Sequence, residues 1–283
     1  MSSPVAIVVD STADLPKHIA DERQIYVVPE YILWETESFR DGVDLEPEPF
    51  YWRLKTDPVI PKTSQPSPAD FLKAFQTAIE ETKAESVICL CLSADLSGTY
   101  NSAMQAKELA SFPVRVIDCR NASMPLAFLA LTAADGRDGG RSATEIERYV
   151  RSSLPKTNIL FTVSSLEYLH RGGRIGGAQR LIGDTLKIKP ILTVIDGKVA
   201  ARESVRTQKR AVQRLIELID EISQGQEIWR LGVMHGMIPD EAKALLDQIQ
   251  ERYHPDTLLI NNAGPAVATH VGPGCLGIAY QLK

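Results

Sequence analysis

The chain has 283 residues, 44% of them hydrophobic and 24% charged, with a formal net charge of −5. That length supplies a full core and room for two ordinary domains, and an acidic balance gives the molecule no global attraction for nucleic acid or anionic membrane. No apolar run approaches the roughly 18 residues of a membrane helix, and Met1-Ser2-Ser3-Pro4 lacks a basic leader, so a cytoplasmic protein, monomeric by default, is expected.

The first element is a short apolar strand, Val5 to Val9, ending in Asp10-Ser11-Thr12-Ala13-Asp14, with Pro16 where a helix begins. Asp10 and Thr12 match half of the paired-aspartate start of some phosphotransferases, and capping of the next helix explains them as well. Ile25 to Trp34 reads as a second strand region, Asp41-Gly42 as a turn and Pro49 to Leu54 as a short helix. Pro58, Pro61, Pro66 and Pro68 then forbid regular pairing and leave a stiffened loop presenting Thr63, Ser64 and Gln65. Ser67 caps a helix from Pro68 to about Lys83.

The run from Ser86 to Leu92 is apolar enough for a strand buried on both faces, and it breaks into Ser93-Ala94-Asp95-Leu96-Ser97-Gly98-Thr99 before a helical pattern begins. Ser93, Ser97 and Thr99 therefore sit at the carboxyl edge of a parallel sheet, where ligands bind in such folds; helix capping is the alternative role for these hydroxyls. Strand Val114 to Asp118, a helix from about Ser123 to Ala134, a break at Gly136 to Gly140 and a helix Ala143 to Ser153 follow. The alternation argues for an α/β protein of two domains, 1–156 and 157–283, each with a central, mostly parallel sheet.

The second half opens with a strand from Asn158 to Val163 and a helix that stops at Gly172-Gly173 and resumes after Gly177, leaving Arg174 exposed between glycine pairs. Arg171, Arg180, Lys187 and Lys189 make this region positive. Ile191 to Ile195, Asp196-Gly197 and Val199 to Ala201 form a β-hairpin, because Asp-Gly supplies the positive φ angles of a type I′ turn. Arg206, Lys209, Arg210 and Arg214 then lie on one face of a helix reaching about Ser223, followed by strand Ile228 to Met234, helix Asp240 to Tyr253 and strand Thr257 to Ile260. The glycine-rich end carries Thr269-His270 in a loop; its formal G-x-G-x-x-G at Gly272, Gly274 and Gly277 has no following helix and strand to make a dinucleotide site. Cys89, Cys91, Cys119 and Cys275 fit no zinc or disulfide framework and read as buried thiols; no metal or cofactor is implied.

Several of these motifs, taken in order, resemble the bacterial DegV family: Asp10-Ser11-Thr12-Ala13-Asp14-Leu15, Thr63-Ser64-Gln65-Pro66-Ser67, Leu96-Ser97-Gly98-Thr99-Tyr100-Asn101-Ser102-Ala103, and Leu166-Glu167-Tyr168-Leu169 with Gly172-Gly173-Arg174-Ile175-Gly176. Leu186-Lys187-Ile188-Lys189-Pro190-Ile191-Leu192 and the stretch from Gly264-Pro265-Ala266 through Thr269-His270 to Gly272-Pro273-Gly274 extend the match over nearly the whole chain. The resemblance implies a protein that holds one long-chain fatty acid between its domains and presents the carboxylate to a separate fatty acid kinase subunit, which makes the acyl phosphate for phospholipid metabolism. By the same resemblance Thr63, Ser64, Ser93, Ser97, Thr269 and His270 hold the carboxylate and Arg174 docks the kinase; Arg206 and Lys209 join it as a basic patch that, on an acidic chain, suits an acidic or phosphate-bearing partner. Relatives carry Ser-Ser after the strand where this chain has Ser93-Ala94-Asp95, and a carboxylate at Asp95 beside the head group would repel it.

Two other functions fit the residues. Ser97 with His270 would serve a hydrolase or acyltransferase, though no nucleophile-elbow motif is present. Arg206, Lys209, Arg210 and Arg214 would serve a nucleic-acid surface on a chain whose net charge opposes it.

Overall fold

The structure, a computed structural model, describes residues 4–181 and 188–283. Leu186 and Lys187 lie outside the described residues. In chain order the first half contains β1 (Val5–Asp10), α1 (Lys17–Glu22), β2 (Ile25–Val28), β3 (Tyr31–Trp34), β4 (Glu37–Arg40), α2 (Pro47–Thr56), β5 (Lys62–Ser64), α3 (Pro68–Thr82), β6 (Ser86–Cys91), α4 (Thr99–Leu109), β7 (Val114–Asp118), α5 (Met124–Asp138) and α6 (Ala143–Ser153). The second contains β8 (Thr157–Thr162), α7 (Glu167–Arg171), β9 (Lys189–Ile195), β10 (Lys198–Val205), α8 (Gln208–Ser223), β11 (Ile228–His235), α9 (Pro239–Tyr253), β12 (Thr257–Asn262), α10 (Pro265–Val271) and β13 (Leu276–Leu282).

β2, β1, β6 and β7 form a parallel sheet in that order, with β1 and β6 buried along their whole length. Helices cover both faces of such a sheet, which is why these strands read as unbroken apolar runs. The second sheet, in the order β10-β9-β8-β13-β11-β12, departs from the expected mostly parallel arrangement: only β11 and β12 pair in parallel. Two features account for the difference. The Asp196-Gly197 turn, with φ of 49° and 79°, makes β9 and β10 antiparallel. The chain end returns as β13 between β8 and β11, antiparallel to both.

Thr63 and Ser64 are not in a loop: β5 pairs with β3, which also pairs with β4, in a small antiparallel sheet. The flanking prolines confine that pairing to three residues and leave β5 at the sheet edge, where missing donors are tolerated. Ser67 caps α3 as its sequence indicates, with a full capping box to Asp70.

Helix α5 runs through Gly136, past the expected break, and twelve of its 15 residues are buried. A helix buried all round needs apolar residues on every face, and Met124 to Ala134 supplies them. It packs against β1 and β6 on one side and β8, β11 and β13 on the other, so one continuous core links the two sheets. All four cysteines are buried and free.

Candidate functional site

Three loops leave the carboxyl ends of β1, β6 and β7, and buried carboxyl groups pin them together. Asp10 accepts hydrogen bonds from the Thr12 amide and hydroxyl and, at 2.7 Å, from the Leu92 amide, which binds the first loop to the second. Asp14 accepts from Ser123 Oγ at 2.6 Å and the Gly264 amide at 2.8 Å; Asp41 accepts from Ser11 Oγ at 2.6 Å and the Ala266 amide at 3.3 Å. Burial pushes these carboxyls up, Asp10 to about 6, Asp41 to about 7 and Asp14 to about 8. Asp10 is thus a structural tie rather than the start of a phosphotransfer site.

Between the sheets lies a pocket of about 750 Å³, counting the part open to solvent. Its wall is mostly aliphatic: Leu92 and Leu96 come from the second loop, Ile159 and Phe161 from β8, Val194 and Val199 from the hairpin, Met234 from β11, and Val267 and Val271 from α10. Residues from both halves therefore enclose it. The polar lining comprises Thr12, Glu30, Thr63, Ser97, Ser123, Arg174 and His270.

His270 is on α10, not in a loop; Gly264-Pro265 starts that helix, with proline in the first turn where its missing N–H costs nothing. Its Nε2 lies 2.9 Å from Thr63 Oγ1, joining α10 to β5. Its Nδ1 is buried without a partner and faces Gly172, where a Cβ would stand 2.2 Å from that nitrogen. Burial and the nearby Arg174 charge lower His270 to about 4, so the imidazole is neutral at physiological pH. The turn after α7 needs glycine here for this close approach. Gly172→Ala is expected to displace the ring, break the Thr63 contact and destabilise the fold by about 1–3 kcal/mol, read as a lower urea midpoint together with a shifted His270 ring resonance.

Ser97 lines the pocket, its Oγ 2.8 Å from Thr99 Oγ1 and accepting from the Thr99 amide at 3.3 Å. The N-cap position of α4 is Gly98, so Ser97 stands one residue before the cap and holds the Thr99 amide from there. Ser93, Ser64 and Thr269 do not line the pocket. Ser93 is fully buried beneath the hairpin turn, where a Cβ on Gly197 would sit 2.4 Å from its hydroxyl, and it accepts from the Asp95 amide at 3.2 Å. Ser64 donates to the Gln65 carbonyl, and Thr269 donates to the Pro265 carbonyl of its own helix. Asp95 also stays outside the pocket wall, paired with Lys198 at 3.3 Å and Arg120 at 3.9 Å.

Arg174, expected to be exposed, is half-buried on the pocket wall, donating from Nε to the Leu96 carbonyl at 2.9 Å and from Nη1 to the Gly172 carbonyl at 2.7 Å. Arg206 and Lys209 are exposed near the start of α8. Arg210 and Arg214 are bound by Glu217, Glu203 and Glu221, so half of the apparent basic face is neutralised. Glu30, which no sequence motif marks, is 3% exposed and lines the pocket. Its one signal is a lone acid after Pro29, at the break between β2 and β3 within the apolar run from Ile25 to Trp34.

Ser97 and His270 share the pocket but form no nucleophile–base pair: the imidazole is bonded to Thr63, has no carboxylate orienting it and is a poor base. Among the described residues no cluster of three or more His, Cys, Asp or Glu is placed to hold a metal, and no helix is long and apolar enough to cross a membrane.

A mostly aliphatic pocket between two α/β sheets, with hydroxyls, a neutral imidazole, the Glu30 carboxyl and the Arg174 guanidinium in its lining, is suited to an amphiphile with a small polar head. The chain belongs to the DegV family: the model "Uncharacterised protein, DegV family" matches residues 4–283. DegV domain-containing proteins of Streptomyces coelicolor and Clostridium acetobutylicum are 36% and 34% identical to it, over 100% of both chains in the first case and 99% of this chain and 98% of the relative in the second. Among solved structures, a DegV family protein from Thermus thermophilus that binds fatty acid superposes with a TM-score of 0.93 at 31% identity, covering 99% of this chain and 100% of the other. DegV of Bacillus subtilis, a fatty acid binding protein, superposes at 0.90 with 31% identity and full coverage of both chains.

Proposed function

We propose that this protein binds one long-chain fatty acid, its tail along the aliphatic wall and its carboxylate at Thr63, Ser97 and His270, and presents that carboxylate to a separate kinase subunit for acyl phosphate formation. The observation that carries the reading is the pocket itself: a mostly apolar lining with hydroxyl groups, a neutral imidazole, Glu30 and the Arg174 guanidinium as its polar members. About 14 buried methylenes contribute roughly 11 kcal/mol before entropy costs, against about 1 kcal/mol for each neutral hydrogen bond. The tail therefore sets affinity and the polar groups set orientation. Fatty-acid binding in the Thermus and Bacillus relatives supports this assignment.

Arg174, Arg206 and Lys209 are the proposed kinase-docking residues, with Arg174 joining the pocket wall to the surface and the other two free to meet an acidic partner. Exposed charges mainly raise the association rate. Arg206→Ala with Lys209→Ala is therefore expected to leave fatty-acid content unchanged and lower the rate of fatty-acid phosphorylation by a cognate kinase subunit several-fold at low ionic strength, the deficit shrinking as salt is added. Superimposable rates at every salt concentration would remove these two residues from the docking surface.

A further inference from the structure

We infer that Glu30, Thr99 and Ser97 form a hydroxyl relay in which Glu30 must carry its proton for the Ser97 hydroxyl to donate to an anionic head group. This rests on the fatty-acid reading above and makes Glu30 a positioning residue for carboxylate binding. Thr99 Oγ1 stands between the other two, 2.5 Å from Glu30 Oε1 and 2.8 Å from Ser97 Oγ. Thr99 is fully buried and Glu30 nearly so, so no bulk water replaces a lost partner. Each hydroxyl has one proton, so the direction of one bond dictates the next.

If Glu30 is ionised it only accepts. Thr99 then donates to Glu30, Ser97 donates to Thr99, and Ser97 turns lone pairs toward the ligand, where a carboxylate also presents lone pairs. If Glu30 is neutral its O–H donates to Thr99, and Thr99 donates to Ser97. The two Ser97 acceptor sites are then filled by the Thr99 hydroxyl and amide, and the one remaining valence is the O–H that a carboxylate needs. Burial, followed by the Asp10 charge on β1 and the Asp41 charge after β4, holds the Glu30 carboxyl well above the usual range, opposed by the Thr99 hydrogen bond and by Arg174 on the turn after α7. His270 on α10, which shares the pocket wall, is neutral.

The test compares wild type, Glu30→Gln and Thr99→Val across the whole pH range in which all three stay folded. Each is titrated with a fluorescent long-chain fatty acid and with the matching fatty alcohol, whose uncharged hydroxyl both donates and accepts. A glutamine amide donates to Thr99 at every pH, so Glu30→Gln is expected to match wild type at the acid end and to bind the fatty acid about fivefold or more tightly than wild type at the alkaline end, one neutral hydrogen bond's worth. Thr99→Val, which cuts the relay and leaves Glu30 in place, is expected to lose this extra pH dependence, and the alcohol is expected to show none in any variant. Ionisation of the ligand itself is common to all three proteins and cancels in the comparison. Superimposable profiles for wild type and Glu30→Gln would overturn the inference, and so would a Thr99→Val profile as steep as wild type, which would indicate direct charge repulsion instead. Failure of wild type to bind either amphiphile at any pH would overturn the fatty-acid reading.

Discussion

Ala122→Trp is expected to abolish fatty-acid loading while Ser97→Ala weakens it by about tenfold at most. Ala122 lines the pocket and is only partly buried, so an indole there occupies the cavity rather than wedging into packed core. Displacing even four or five methylenes at about 0.8 kcal/mol each forfeits about 3–4 kcal/mol, a several-hundredfold loss. Ser97→Ala removes one neutral hydrogen bond of about 1 kcal/mol. Both variants are to be titrated with the same fatty acid after delipidation, with circular dichroism as a check on folding. Equal losses would mean that the head group carries as much affinity as the tail.

A second large effect is expected in stability. The Asp14 carboxyl keeps its proton in the folded protein up to about pH 8, because burial raises it from 3.8, whereas the unfolded chain releases it near 3.8. The native state therefore binds the extra proton across that window, and stability falls by about 1.4 kcal/mol per pH unit for this group. Its contribution is complete below about pH 4 and gone once the pH has passed about 8; Asp41 and Asp10, raised to about 7 and 6, act in the same direction. Asparagine at 14 mimics the neutral carboxyl, accepting from the Gly264 amide and donating to Ser123, and it tolerates the left-handed backbone there, φ 51°. The stability of Asp14→Asn relative to wild type is expected to rise by about 4 kcal/mol between pH 5 and pH 8, measured by urea unfolding at the two pH values. Parallel profiles would show that Asp14 titrates normally in the fold.

The parallel sheet of the first half was legible because β1, β6 and β7 announce themselves as short apolar runs ending in turn residues. The second sheet was not, since strand direction there depends on where β13 inserts, and Leu276 to Leu282 lies behind a glycine-rich stretch that reads as loop. Thr63, Ser97 and His270, expected at the head-group site, all line one pocket. Ser93, Ser64 and Thr269 carry the same hydroxyl chemistry, but they turn it to the hairpin contact, to a neighbouring carbonyl and to their own helix. A local pattern gives a residue's chemistry without the direction its side chain faces. Arg174 shows the same limit: glycines on both sides suggested exposure, yet they let the chain fold its guanidinium back onto Leu96.

The central claim is tested most directly by native mass spectrometry of the purified, undenatured protein, followed by organic extraction and identification of what is released. The account predicts one long-chain fatty acid per chain, or an empty fraction that takes up one equivalent when offered it. A protein that is empty and cannot be loaded with any fatty acid from about 12 to about 20 carbons, a range in which buried methylenes alone supply most of the binding energy, would contradict it.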